Sequence, residues 1–151
     1  MRFFFIKFLL LVLLLSPALA GGSKPGFTFK IYMQAGLGTT PNQTVPMALR
    51  DPDQTISVNK FAVLGEKHVA SLLRLPDGGT LVTMTETGSK ILETETTNRM
   101  GAIMVVLCNG RLIYAPEVDS AIRSGKLLLP PGLIEEDYTL FKRYAVKREK
   151  Q

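Results

Sequence analysis

Residues whose types could do chemistry are few in this chain of 151 and lie far apart. Cys108 is its single cysteine and His68 its single histidine, so no intramolecular disulfide can form. A thiol nucleophile needs a base beside it and partial exposure. Cys108 instead closes the apolar run Ile103-Met104-Val105-Val106-Leu107, where a small thiol behaves as a core hydrophobe. His68 lies in Glu66-Lys67-His68-Val69-Ala70, which reads as an exposed helix turn. One histidine and one cysteine leave almost all of any metal site to carboxylates. The acid pairs Glu93 with Glu95 and Glu135 with Glu136 read as solvated charge, because paired catalytic carboxylates need a cleft to split their pKa values. Gly36-Leu37-Gly38 runs into threonines and a proline, not into a helix with a third glycine, so no phosphate loop is present. Asn42-Gln43-Thr44 is formally a glycosylation sequon, with meaning only in a eukaryotic secretory route. The expectation is a non-enzyme with no catalytic residue, no cofactor and no metal.

The first twenty residues place the chain. Arg2 and Lys7 accompany an apolar start, Phe8 to Leu15 continues without a charge, and Ser16-Pro17 breaks the run before Ala18-Leu19-Ala20. A basic start, an apolar segment and small residues before a cleavage point make a secretory signal peptide, with cleavage expected after Ala20. The alternative, a retained anchor, needs roughly 20 apolar residues to span a bilayer. The leader holds two of the 18 basic residues and none of the 13 acids, so the exported part carries +3 where the whole chain carries +5. That excess gathers in Lys142, Arg143, Lys147, Arg148 and Lys150, where cations complement the carbonyl end of a helix. On charge alone, binding of this cluster to anionic lipid or nucleic acid is the lesser expectation beside a solvated helix end, and export argues further against nucleic acid.

The elements that must position any site follow from pattern and punctuation. Residues 21–26 form a flexible lead, 27–147 one domain, and 148–151 a basic tail. Alternation predicts a strand over Phe27 to Met33 and a hairpin of Val45 to Leu49 with Thr55 to Val58, joined by Asp51-Pro52-Asp53-Gln54. Val69, Ala70, Leu72 and Leu73 recur at helical spacing, predicting a short helix from Glu66 to Leu73 that Pro76-Asp77-Gly78-Gly79 stops. A strand is expected over Thr80 to Thr85, then a helix from Glu86 to Asn98 with Gly101 supplying its C-terminal cap. Asn109-Gly110 between the apolar runs 103–108 and 111–115 is a strong hairpin signal, because both central residues of its tight turn need positive φ. The near-continuous apolar first arm belongs in the middle of a sheet. Val118 and Ile122 pack from a crossover, Lys126 to Leu129 forms a strand, and a terminal helix runs from about Glu135 to Lys147. The resulting class is α+β, a mainly antiparallel sheet with helices packed on one face in a ferredoxin-like sandwich.

From Gly79 to about Tyr144 the spacing resembles the head subdomain of the first periplasmic domain of SecD and SecDF, accessory subunits of bacterial protein export. The residues that carry it are Gly88, Thr96, Gly101, Asn109-Gly110, Ala115-Pro116, Ile122 and Gly125, at matching separations. Departures are Asn109 where Asp is usual, Tyr114 where a small residue is usual, and Pro130-Pro131-Gly132 one residue out of step. The resemblance implies structural roles for these motif residues, not catalytic ones. No spanning helices are expected after the leader, hence no proton-driven motor.

The expected function is an exported, non-catalytic binding module, periplasmic or secreted, that contacts exported polypeptides or envelope and translocon proteins. Tyr114, Arg123 and Lys126 form the candidate partner surface, an aromatic and two cations around the hairpin end and the following turn. The alternative is a self-assembling envelope component, with a small hydrolase third.

Overall fold

A computed structural model describes residues 26–50 and 53–150. The expected leader, most of the flexible lead and Asp51-Pro52 lie outside the described residues. Nine strands and two α-helices follow in chain order. They are β1 (Phe29–Met33), β2 (Thr44–Arg50), β3 (Asp53–Asn59), β4 (Leu64–Gly65), β5 (Val69–Arg74), β6 (Thr80–Met84), α1 (Glu86–Asn98), β7 (Met104–Cys108), β8 (Arg111–Tyr114), β9 (Lys126–Leu129) and α2 (Glu135–Glu149).

Every strand pair is antiparallel, and the fold is α+β as expected. The strands divide among three sheets, ordered β4-β1-β7-β8, β2-β3 and β5-β6-β9. Side-chain alternation decides what covers the four-stranded sheet. Phe29, Ile31 and Met33 of β1 with Met104, Val106 and Cys108 of β7 face the main core, which they share with Val82 of β6, Leu127 and Leu129 of β9, Leu92 of α1, and Tyr138, Leu140 and Phe141 of α2. Tyr32, Val105 and Leu107 point the other way, onto Leu49, Ile56 and Val58 of the β2-β3 hairpin. Both faces of β7 are covered, which is why its five residues are all apolar.

The segment expected as a helix from Glu66 to Leu73 is a 3-10 turn, Glu66–His68, followed by strand β5. A run so short fits either period, and the stop signal after it decides between them. Pro76-Asp77-Gly78-Gly79 is the turn of a β5-β6 hairpin, with Gly78 at φ +85° and Asp77 Oδ1 accepting from the Gly79 N–H at 2.9 Å. Thr85 caps α1, its Oγ1 accepting from the Gly88 N–H at 3.1 Å, and the buried residues Gly88, Leu92 and Thr96 form one stripe at four-residue spacing. Gly101 has the expected positive φ of +79°, but its N–H donates to the Val118 carbonyl in the crossover, not to the helix. The terminal helix extends through Arg148 and Glu149, so the first half of the expected basic tail is helical.

Candidate functional site

Most of the motif residues have an identifiable conformation or contact in the fold. Asn109 and Gly110 adopt φ of +48° and +77°, the tight turn that their types demanded. Asn109 does more than turn the chain. Its Oδ1 accepts from the Thr28 N–H at 2.8 Å and its Nδ2 donates to Asp137 Oδ1 at 2.7 Å, tying α2 and the segment before β1 to the hairpin. An aspartate there could not make the second bond as a donor. Thr96, fully buried, donates to the Leu92 carbonyl at 2.7 Å and accepts from the Ile122 N–H at 2.9 Å, so one hydroxyl joins α1 to the crossover. A Cβ at Gly88 would sit 2.8 Å from the His68 carbonyl oxygen, and one at Gly125, where φ is +63°, would sit 2.5 Å from Ser89 Oγ. Pro116 accepts from the Met104 N–H at 2.9 Å, Ala115 borders the second core cluster, and Ile122 packs on the main core.

Backbone direction identifies what this frame leaves open. Asn109 N–H points to Thr28, just before β1, so by alternation Cys108 and Val106 face β8 and pair with Arg111 and Tyr114. The N–H and C=O of Leu112 therefore point away from the sheet. On the other side, Met84 N–H donates to the Gly125 carbonyl, and the register from Gly125 onward places Leu127 and Leu129 toward β6. The N–H and C=O of Lys126 and Leu128 point outward. Lys126 N–H is taken by Ser124 Oγ at 3.2 Å; Leu128 is 59% exposed. Both β8 and β9 are sheet edges, and the outward backbone groups of Leu112 and Leu128 have no backbone partner among the described residues.

These edges run close to one another. Ile113 Cγ2 lies 3.4 Å from where a Gly132 Cβ would be, and Arg111 Nη1 donates to the Gly132 carbonyl at 3.2 Å. Two grooves flank the junction and share Tyr114. One of about 190 Å³ runs between Tyr114, Pro116, Ile122, Leu127 and Leu128. The other, about 380 Å³, is bounded by Leu49, Arg50, Leu112, Ile113, Ala115 and Pro130. Half-buried Tyr114, read from sequence, thus stands at the centre. Exposed Lys126 opens β9. Arg123 does not join them, since it lines a shallow depression with Thr97 and Met100 and lies 3.5 Å from Glu93. Leu112 and Leu128 were missed by the sequence reading; alternation could have signalled Leu128, but a bulge in β8, where Arg111 and Tyr114 both pair with β7, breaks it for Leu112.

A third cleft, about 420 Å³ beside the hairpin turn, is lined by Asn109, Arg111 and Asp137. Its polar groups are spent on each other. Asp137 Oδ2 accepts from the Ile134 N–H at 2.8 Å and pairs with Arg111 Nη2, so α2 carries its own N-terminal cap. Burial would raise the Asp137 carboxyl, but the bonds from Ile134, Asn109 and Arg111 outweigh it and hold it below the usual carboxylate range.

The two candidate chemical residues are placed apart in role. Cys108 is fully buried; burial, then the Asp137 charge, pushes its thiol up to about 12. His68, in the 3-10 turn, accepts the Gly65 N–H at Nδ1 at 3.0 Å, and burial followed by the Lys67 charge lowers its pKa. Glu135 pairs with Arg74 at 2.9 Å. Glu95 Oε2 lies 3.0 Å from Arg99 Nε, an ion contact without hydrogen-bond alignment. Among the described residues no three acids, histidines or cysteines gather as a metal would require.

No known family matches the sequence, and no curated protein does. Solved structures do share the fold. A structure described as the membrane component SecDF that enhances protein export matches over 78% of this chain and 60% of its own, at 14% identity and a TM-score of 0.55. SecDF in a super-membrane-facing form matches over 77% of this chain and 18% of its own, at 18% identity and a TM-score of 0.56. The chain spans less than two thirds of either protein, and the likeness is one of fold. It agrees with the resemblance carried by Gly88 through Gly125.

Proposed function

We propose that this chain is an exported, non-catalytic module that holds an extended polypeptide along the β8 and β9 edges, in a role related to protein export. The carrying observation is the pair of open edge positions, Leu112 and Leu128, flanking grooves that share Tyr114. A backbone with its own unpaired N–H and C=O groups is the ligand such edges fit, and strand addition gives affinity with little sequence preference. Apolar walls at Ile113, Tyr114, Leu127 and Pro130 accept alternate side chains of the added strand. The inert thiol of Cys108 and the mutual satisfaction of Asn109, Arg111 and Asp137 support a binding role over catalysis. The SecDF fold supports translocon or envelope proteins, or their clients, as the context.

Amide hydrogen exchange tests the reading. With a reduced, unfolded exported protein added, the Leu112 and Leu128 amides should slow while exposed amides elsewhere do not. If the polypeptide binds without slowing either amide, the edge assignment is wrong; if no unfolded polypeptide binds, so is the function. The same edges suit a second copy of the chain, and light scattering showing a stable oligomer without any added polypeptide would favour the self-assembling alternative.

A further inference from the structure

The outer face of α2 carries a set of exposed cations without acidic partners among the described residues. Residues 142, 143, 146 and 147 of α2, with Lys150 at its C-terminal cap in helical conformation, fall on one arc at 3.6 residues per turn. Lys142, Arg143, Lys147 and Lys150 are all exposed, and none forms an ion pair among the described residues. Arg148, the fifth cation, is turned inward. Its Nη1 donates to the Val69 carbonyl at 2.9 Å, and its guanidinium lies 5.6 Å from the Tyr144 ring centre. The fold therefore draws one of the five side chains inward and presents the other four to solvent. The acids of the helix sit elsewhere: Glu135, Glu136 and Asp137 in the first turn, where Glu135 and Asp137 already have partners, and Glu149 beside the arc. In the middle of the arc Val146 is 52% exposed.

We infer that this arc is a docking face for a membrane surface bearing anionic lipid headgroups. Four cations spread over about 12 Å of one helix face, at 1.5 Å per residue, match a flat, laterally continuous anionic layer. Val146 at their centre is an apolar contact that a headgroup layer covers and water does not. Arg148 and the core-facing residues of α2 anchor the helix backbone on the fold, so the four cations share one face before any contact. The inference is independent of the strand-edge reading, because it uses neither β8 nor β9.

The test is co-sedimentation of the chain from Gly21 onward, which contains every described element, with vesicles of phosphatidylglycerol and phosphatidylethanolamine and with vesicles of phosphatidylcholine. Binding is expected to the first alone and should vanish near 1 M salt, where charges are screened beyond about 3 Å. The double variant Lys142→Glu, Lys147→Glu should weaken binding by about a hundredfold or more. Lys30→Glu with Lys60→Glu makes the same change in net charge at exposed positions off the helix and should leave binding within a few-fold. Thermal melts of both variants establish that they are folded. Equal loss in both variants, binding to phosphatidylcholine as strong as to the anionic vesicles, no binding to either, or tighter binding to a short DNA duplex would each overturn the inference.

Discussion

Asp137 is the residue on which most local order converges, with the hairpin turn, the start of α2 and the segment before β1 all joined through it and Asn109. Its stabilising effect has a defined pH dependence. The folded pKa lies below the ordinary 3.8, so the unfolded chain takes up the proton first. The contribution is complete well above 3.8 and is lost as the pH falls from there through the lower folded value. Asp137→Asn should therefore lower the thermal midpoint at neutral pH, and the two melting curves should converge in acid. Midpoints measured from about pH 6 down to about pH 2 check this, and parallel curves would refute it. Cys108 was legible at this scale, since a cysteine ending an apolar run is core, whereas His68, expected on an exposed helix turn, is half-buried in a 3-10 turn. The partnership of Asp137 with Asn109 and Arg111 was not, because 28 and 26 residues separate them and no local pattern links a turn to a distant helix cap.

Between elements, close approach is governed by what is missing from side chains. Gly88 lets α1 lie directly on the 3-10 turn that carries His68, and a Cβ there would meet the His68 carbonyl at 2.8 Å and its Cβ at 2.9 Å. Backbone cannot rotate away as a flexible side chain can, so α1 must shift. Gly88→Ala should destabilise by about 1–3 kcal/mol despite its better helix propensity. Gly26→Ala, which meets nothing within 4 Å, should be near neutral. Urea unfolding of the two variants distinguishes them; equal stability would show that α1 can move at no cost. The positions of α1 and α2 and of two hairpins, β2-β3 and β7-β8, were readable from turn residues, helix formers and dipole charges. The segment from Glu66 to Leu73 was not, because its pattern fits a helix turn in isolation and only its partner β6 makes it a strand.

In the molecule as a whole, α2 closes the main core. Phe141 packs edge-on against Phe27 with ring centres 5.2 Å apart, and Tyr138 shares a buried hydrogen bond with Thr80 Oγ1 at 2.6 Å. The helix thus touches both the four-stranded and three-stranded sheets through one cluster. Phe141→Ala should cost about 3–5 kcal/mol, and near-UV and far-UV signals should still melt together. A far-UV transition that outlasts the near-UV one would mean that the sheets stand without α2.

The sequence by itself determined the class, the order of most elements and the inert character of Cys108. Those properties depend on spacing along the chain: alternation, caps, positive-φ turns and the scarcity of nucleophiles are all local. Tertiary structure alone decided that the strands divide among three sheets, that Tyr114 is separated from Arg123, and that Leu112 and Leu128 are left at open edges. Whether a strand is central or at an edge depends on which distant segment lies beside it. That choice is made by burial of both faces of β7, a long-range packing term that no short window of residues contains.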